Sequence, residues 1–86
     1  MSSISIRWDR RAVKELESLP RDAQKRVYQA VAGLAEEPLK GKALAGRGKG
    51  LRRLRVGQFR VLYSFDGSRS LVSVSRVGDR RDIYRF

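Results

Sequence analysis

Hydrophobic and polar residues alternate near the start of the chain and then change to a helical spacing. The alternation from Ile4 to Trp8 predicts a short strand, and Asp9 suits the N-cap of the helix that follows. Pro20 ends this helix and marks the start of a second one, expected over residues 21–36. Each helix has one apolar face that is expected to pack on the sheet. It consists of Ala12, Val13, Leu16 and Leu19 in the first helix and of Ala23, Val27, Ala30, Val31 and Leu34 in the second. The two helices are expected to form an antiparallel hairpin that packs on a sheet.

The second half of the chain predicts a glycine-rich loop and then three strands. Residues 37–50 contain one proline and four glycines, which indicate a mobile loop. Strands are expected at 51–56, 59–65 and 70–77, joined by turns at Gly57-Gln58 and Asp66-Gly67, and residues 80–86 as a last short strand or turn. The order βααβββ predicts an α+β fold: a two-helix hairpin packed on a mostly antiparallel sheet, in one domain covering residues 1–86.

The Gly57-Gln58 turn assigns a face to each strand residue, because it places Arg55 opposite Arg60. One face is then apolar and meets the helices: Leu54, Val56, Phe59, Val61, Tyr63, Val72 and Val74. The other face is expected to be open and to carry Arg53, Arg55, Arg60, Ser73 and Ser75, with Leu62 and Leu71 among them. Like charges directly opposite each other destabilise a sheet. A sheet that keeps Arg55 opposite Arg60 therefore predicts an anion between them, and a phosphate fits best.

Composition supports a polyanionic partner. The 86 residues carry a net charge of +11, which favours nucleic acid, an anionic membrane surface or an acidic protein. Most of the basic residues are Arg, which binds phosphate through two parallel hydrogen bonds, although codon bias also enriches Arg, so position matters more than number. The chain has no Cys and no His, which removes disulfides, thiolate chemistry and the usual general base and zinc ligand. We expect no metal and no cofactor. No apolar segment has the length of a membrane span or signal peptide, so a cytoplasmic protein without membrane contact is expected.

Two segments resemble the signature of the RelE/ParE toxin superfamily. They are LRRLRVGQFRVLY at 51–63 and RVGDRRDIY at 76–84. The resemblance, which extends over nearly the whole chain, implies the RelE-like microbial ribonuclease fold and the toxin of a type II toxin–antitoxin system. RelE-type members are ribosome-dependent endoribonucleases that cut mRNA in the A site. They work without metal, by attack of the ribose 2′-hydroxyl on the adjacent phosphate.

The resemblance also implies site residues. The catalytic set falls on Arg55, Arg60, Arg80 and Tyr84, and the substrate-binding set on Lys49, Arg52, Arg53 and Arg55. Fixed guanidinium groups at Arg60 and Arg80 would stabilise the doubly negative phosphorane, and Tyr84 would stack on a base or position the 2′-hydroxyl. Other members of the superfamily use Lys, Glu or His as base. Here Tyr84 or Asp82 supplies the base, or charge stabilisation alone drives a slower cut.

Two other functions stay open at this point. One is ParE-like poisoning of DNA gyrase without catalytic residues, and the other is a catalytically silent basic RNA-binding domain. Under either toxin interpretation an acidic antitoxin is the expected partner, in a heterodimer or heterotetramer, because the +11 charge and the basic face repel themselves. The ribonuclease interpretation adds the ribosome, through its rRNA, and mRNA.

Overall fold

Five strands and two helices make up the part of the chain that the structure, a computed structural model, describes, which is residues 3–79. The strands and helices are β1 (Ser5–Trp8), α1 (Arg10–Glu17), α2 (Arg21–Ala32), β2 (Lys42–Ala43), β3 (Arg52–Val56), β4 (Phe59–Asp66) and β5 (Leu71–Asp79). Single 3-10 turns follow α2 at Gly33–Ala35 and precede β3 at Gly46–Gly48. The strand or turn expected at residues 80–86 lies outside the described residues, as do Arg80, Asp82 and Tyr84.

The strands form one mixed sheet in the order β1-β5-β4-β3-β2. Only β1 runs parallel to its neighbour, β5, and the other three pairs are antiparallel. The α1–α2 hairpin connects β1 at one edge of the sheet to β2 at the other edge, and β5, the last strand, then returns beside β1 in the parallel sense. The predicted α+β fold, with a helix hairpin on a mostly antiparallel sheet, is therefore confirmed.

The helices cover one face of the sheet, and the core lies between them. Its buried members are Ala12, Ala23, Val27, Val31, Leu34, Leu54, Phe59, Val61, Tyr63, Val72, Val74 and Val77. The helical stripe is right except at Val13, which is 36% exposed because it lies at the flank of α1. The second helix is shorter than expected, since the chain tightens into a 3-10 turn at Gly33. In the part of the chain that is described, no helix is long and apolar enough to cross a membrane.

The β3–β4 hairpin has the predicted register. Gly57 has φ of +61°, the left-handed conformation that a two-residue turn with glycine first requires. Val56 pairs with Phe59 and Arg55 pairs with Arg60. The turn therefore places the two arginines directly opposite each other on the face away from the helices.

The β4–β5 hairpin differs from the prediction in two ways. Asp66 pairs with Leu71, so a four-residue loop replaces the expected two-residue turn at Asp66-Gly67. The pairing then shifts between Leu62 and Tyr63, where a β-bulge in β5 accommodates one extra residue. Beyond the bulge Val77 faces the core opposite Val61, and Arg76 shares the other face with Leu62.

The segment from residue 37 to residue 50 is structured rather than a mobile loop. It contains β2, which pairs with β3, and it is tied to the sheet by Tyr63. The Tyr63 hydroxyl donates to the Pro38 carbonyl at 2.8 Å and accepts from the Gly41 N–H at 2.9 Å. A side chain at Gly41 would meet the Arg53 carbonyl at 2.7 Å and the Tyr63 ring at 2.8 Å, so only glycine fits this close approach.

Candidate functional site

The face of the sheet away from the helices is rich in cations, and we call it the basic face. The register places six side chains there in two neighbouring rows: Arg55 and Arg60 in one row, and Lys42, Arg53, Leu62 and Arg76 in the other. The rows are adjacent because side chains two residues apart along a strand point to the same face. These two rows therefore carry five cations around a single apolar residue.

The basic face is closed at its centre, which corrects the expectation that this face is open. Leu62 is fully buried, and Arg60 is only 6% exposed. Leu62 lies in register between Arg53 and Arg76, whose long aliphatic stems are suited to cover an apolar neighbour. Arg55, by contrast, is exposed to solvent. The two opposed arginines therefore differ: one is held inside the protein surface and the other projects from it.

Arg60 is fixed by the hairpin that carries it. Its Nη1 donates to the carbonyl oxygens of Phe59 at 3.1 Å and of Gly57 at 3.3 Å. Within residues 3–79 no carboxylate forms an ion pair with Arg60. The β3–β4 turn thus holds a buried guanidinium in one orientation, which is the preorganisation that electrostatic stabilisation of a transition state needs.

Arg76 is held by a carboxylate of the helix layer. Its guanidinium meets Glu15 of α1 through Nε and Nη2, each 3.0 Å from Oε2. The same carboxylate accepts the backbone N–H of Val77 at 2.9 Å. β1 ends opposite Val74, so Glu15 caps β5 where its neighbouring strand has stopped. Glu15 thereby joins α1 to the end of the strand that leads toward Arg80.

Three of the predicted substrate-binding residues lie in different surroundings. Arg53 is on the basic face, in register with Leu62. Arg52 pairs with Tyr63 on the helix face, where its guanidinium donates to the carbonyls of Gly41 at 2.9 Å and Leu39 at 3.1 Å. Lys49 is exposed and follows the 3-10 turn outside the sheet. The structure brings Arg53, Arg55 and Arg60 together and separates Arg52 and Lys49 from them.

Two cations of the two rows around Leu62 were missed by the sequence analysis. Lys42 lies opposite Arg53 because β2 pairs with β3, and a two-residue strand leaves no pattern in the sequence. Arg76 joins the face because of the bulge in β5. The apolar spacing of β5 carries a signal of this, since Val72 and Val74 are two residues apart and Val77 follows after three.

The acidic residues offer no metal site in the described region. Between residues 3 and 79 no group of three or more Asp and Glu side chains could hold a metal ion. Asp79, at the end of β5, pairs with Phe59. Alternation therefore assigns Asp79 to the face of Phe59 rather than to that of Arg60.

The comparisons with known proteins agree on one superfamily. The sequence model of the ParE toxin of type II toxin–antitoxin systems, parDE, matches residues 6–84. Toxin RelG of Mycobacterium tuberculosis is 35% identical over 83 residues, covering 94% of this chain and 95% of that protein. The toxin–antitoxin complex RelBE2 of the same organism contains a chain with 31% identity and a TM-score of 0.85, at 92% and 100% coverage. A chain of the archaeal RelE–RelB complex from Pyrococcus horikoshii has 25% identity and a TM-score of 0.80, at 94% and 99% coverage.

The family model that matches is that of the ParE toxin, whereas the similar proteins include toxin RelG and chains of the RelBE2 and RelE–RelB complexes. The two groups share a superfamily, and the RelE relatives match over nearly their full length. The chain therefore belongs to the RelE/ParE superfamily of type II toxin–antitoxin toxins and is a RelE-like member of it.

Proposed function

We propose that this toxin is a ribosome-dependent endoribonuclease that cleaves mRNA in the ribosomal A site and so inhibits translation. The observation that carries the proposal is the opposed pair Arg55–Arg60 with Arg53 beside it on the basic face. Two cations directly opposite each other favour a bound anion, and a nucleic-acid phosphate is the anion that Arg binds in a planar, bidentate way. Such cleavage is the general activity of RelE-like toxins, and this supports RNA rather than DNA as the substrate.

The proposed chemistry is an internal transfer that needs no metal. The 2′-oxygen of one ribose attacks the adjacent phosphorus, the bond from phosphorus to the 5′-oxygen breaks, and the products carry a 2′,3′-cyclic phosphate and a 5′-hydroxyl. The proton of the 2′-hydroxyl passes to a base, and the leaving 5′-oxygen takes up a proton. The phosphorane formed between these events is doubly negative, so fixed positive charge beside it lowers the barrier.

The contacts suggest a division of labour among the arginines. Arg60 is buried and held by two carbonyl oxygens of its own hairpin, so we assign it to the phosphorane. Arg55 is exposed and is assigned to the incoming phosphate, while Arg53 holds the RNA backbone. Arg80 is proposed as a second stabilising charge and Tyr84 as a stacking or positioning group, with Tyr84 or Asp82 as base.

Primer extension in a purified translation system tests the proposal. A defined mRNA is incubated with and without ribosomes, with the wild-type protein, with Arg60→Ala and with Arg10→Ala, which removes the same charge from the exposed start of α1. We expect ribosome-dependent cuts in A-site codons that leave 2′,3′-cyclic phosphate ends. Arg60→Ala should reduce them at least about tenfold, and Arg10→Ala should not. An mRNA with a 2′-deoxyribose at the cut position should resist cleavage, because it lacks the attacking hydroxyl.

Gyrase inhibition is the alternative that the description of the matched family model raises. The same protein is therefore assayed for inhibition of DNA supercoiling by gyrase. Supercoiling that stops while mRNA stays intact would replace the ribonuclease proposal with gyrase poisoning. Neither effect from a folded protein would leave a silent RNA-binding domain.

The proposed partner is an acidic antitoxin, in a heterodimer or heterotetramer. Two of the solved relatives are toxin–antitoxin complexes, RelBE2 and RelE–RelB, and this chain carries a net charge of +11. We propose that the antitoxin lays carboxylates near Arg53, Arg55 and Arg60, because neutralising them blocks the site and removes their mutual repulsion. Charge reversal by Arg55→Glu should weaken the complex with the antitoxin. Unchanged affinity of the Arg55→Glu variant for the antitoxin would contradict the proposed position of the antitoxin carboxylates.

A further inference from the structure

A second pair of opposed cations lies on the basic face, next to the pair Arg55–Arg60. Lys42 of β2 is directly opposite Arg53 of β3. Arg53 and Arg55 are two residues apart on the same strand, so the two pairs occupy neighbouring rows about 7 Å apart. Lys42 is exposed, and it forms no ion pair within residues 3–79.

The backbone that carries Lys42 is held firmly although β2 has only two residues. The preceding residue, Gly41, donates its N–H to the Tyr63 hydroxyl at 2.9 Å, and its carbonyl accepts from Arg52 Nε at 2.9 Å. Tyr63 is fully buried, so these bonds tie the segment to the core. Lys42 therefore projects from a fixed point beside Arg53, rather than from a free loop.

We infer that Lys42 and Arg53 form a second phosphate subsite, which binds the phosphodiester next to the one held at Arg55 and Arg60 in a single-stranded RNA. The inference rests on the proposed function, because it takes RNA as the substrate. A single strand carries one phosphate per nucleotide, and two adjacent rows of the sheet span about one nucleotide step. A groove of cations that follows the backbone is how proteins bind single strands independently of sequence.

A lysine on an edge strand has another ordinary use, which is to prevent one sheet edge from pairing with another. If Lys42 has only that role, its replacement should affect RNA binding no more than the loss of one positive charge elsewhere on the surface. Lys40→Ala is the matched control, since Lys40 is an exposed lysine two residues earlier in the same segment, outside β2. Both variants lower the net charge equally, so long-range electrostatics cancel in the comparison.

The test is fluorescence anisotropy of the full chain with short single-stranded RNAs that carry 2′-deoxyribose throughout the cleavable positions. One RNA spans the scissile phosphate alone, and two others add one phosphate on its 5′ or its 3′ side. For one of the two longer RNAs, Lys42→Ala should lower the slope of log K against log salt by about 0.7 and weaken binding about three- to fivefold. It should leave the short RNA unaffected, and Lys40→Ala should change neither.

Other results overturn the subsite. One is that Lys42→Ala and Lys40→Ala weaken RNA binding equally, and another is that the effect of Lys42→Ala does not depend on the number of phosphates in the RNA. The third is that the wild-type protein does not bind these RNAs. The translation assay on the same variants keeps the two proposals apart. Wild-type protein that fails to cut mRNA, but shows the phosphate-dependent effect of Lys42, retains the subsite and loses the nuclease. Cutting by wild type with no such effect retains the nuclease and loses the subsite.

Discussion

The two faces of the sheet treat their polar side chains differently. On the helix face, Tyr63 and Arg52 are each bonded to backbone groups of the segment between α2 and β3. On the basic face, Arg55 is exposed, and Arg60 is buried with only carbonyl partners among the described residues. The polar groups on the helix face hold the fold together, whereas the two arginines on the basic face are kept although they repel each other. Substitutions on the two faces should therefore separate stability from activity.

Arg60→Ala is the sharpest test of this contrast and should have the largest effect. We expect mRNA cleavage to fall at least about tenfold and up to several hundredfold, since a lost transition-state contact costs on the order of 2–4 kcal/mol. The free energy of unfolding should change far less, because the variant also removes the repulsion with Arg55. Cleavage is measured by primer extension and stability by urea denaturation. A variant that unfolds in proportion to its loss of activity would make Arg60 a structural residue.

Gly41→Ala should have the converse effect. The added methyl group would lie 2.7–2.8 Å from the Arg53 carbonyl and the Tyr63 ring, so β2 must move away from the sheet. We expect a loss of about 2–3 kcal/mol in the free energy of unfolding. Gly33→Ala is the control, because nothing lies within 4 Å of the methyl group there. Equal stability of the two variants would show that the Tyr63 contacts do not hold this segment.

Glu15→Gln tests the connection between the faces. The amide oxygen can still accept the Val77 N–H, but the charge facing Arg76 is lost, and the Arg76 side chain is only 14% exposed. We expect destabilisation by about 1–2 kcal/mol, measured by urea denaturation. Glu17→Gln, an exposed neighbour on the same helix, should change stability by less than about 0.5 kcal/mol. If the two variants have the same free energy of unfolding, the ion pair of Glu15 and Arg76 makes no net contribution to stability.

The smallest expected effect is at the loop between β4 and β5. Hydrogen bonds from Ser68 and from the Arg69 N–H lower the pKa of the Asp66 carboxyl below its usual value. Because the folded-state pKa is the lower one, the carboxylate stabilises the loop above about pH 4, the unfolded value, and this contribution is lost as pH falls through the folded pKa. The difference in stability between wild type and Asp66→Asn should therefore shrink below pH 4. A difference that is constant from pH 7 to pH 3 would contradict the shift.

Local signals in the sequence account for most of the fold. The Gly57-Gln58 turn defines the register of the β3–β4 hairpin, because glycine supplies a positive φ that other residues reach only with strain. The helical stripes around Val27 and Ala12 are equally local. Motifs at 51–63 and 76–84 resemble the superfamily that the comparisons then show.

Features that depend on contacts between distant segments were not predictable in the same way. β2 forms because Tyr63 and Arg52 capture the backbone around Gly41, some twenty and ten residues away. The bulge in β5 turns Val77 inward, where it is buried opposite Val61 of the neighbouring strand. The pairing of β2 leaves no signal within a few residues of the sequence, and the spacing of Val74 and Val77 is the one local signal of the bulge.

The sequence by itself determined both helices and every described strand except β2, the superfamily and the opposition of Arg55 and Arg60, because each of these depends on short-range spacing and turn chemistry. Only the tertiary structure decided which cations share the basic face. It placed Lys42 and Arg76 in the same row as Arg53, left Arg52 on the helix face and buried Arg60. The reason is physical: the face that a side chain takes follows from strand pairing over the whole sheet, and burial follows from what packs beside it.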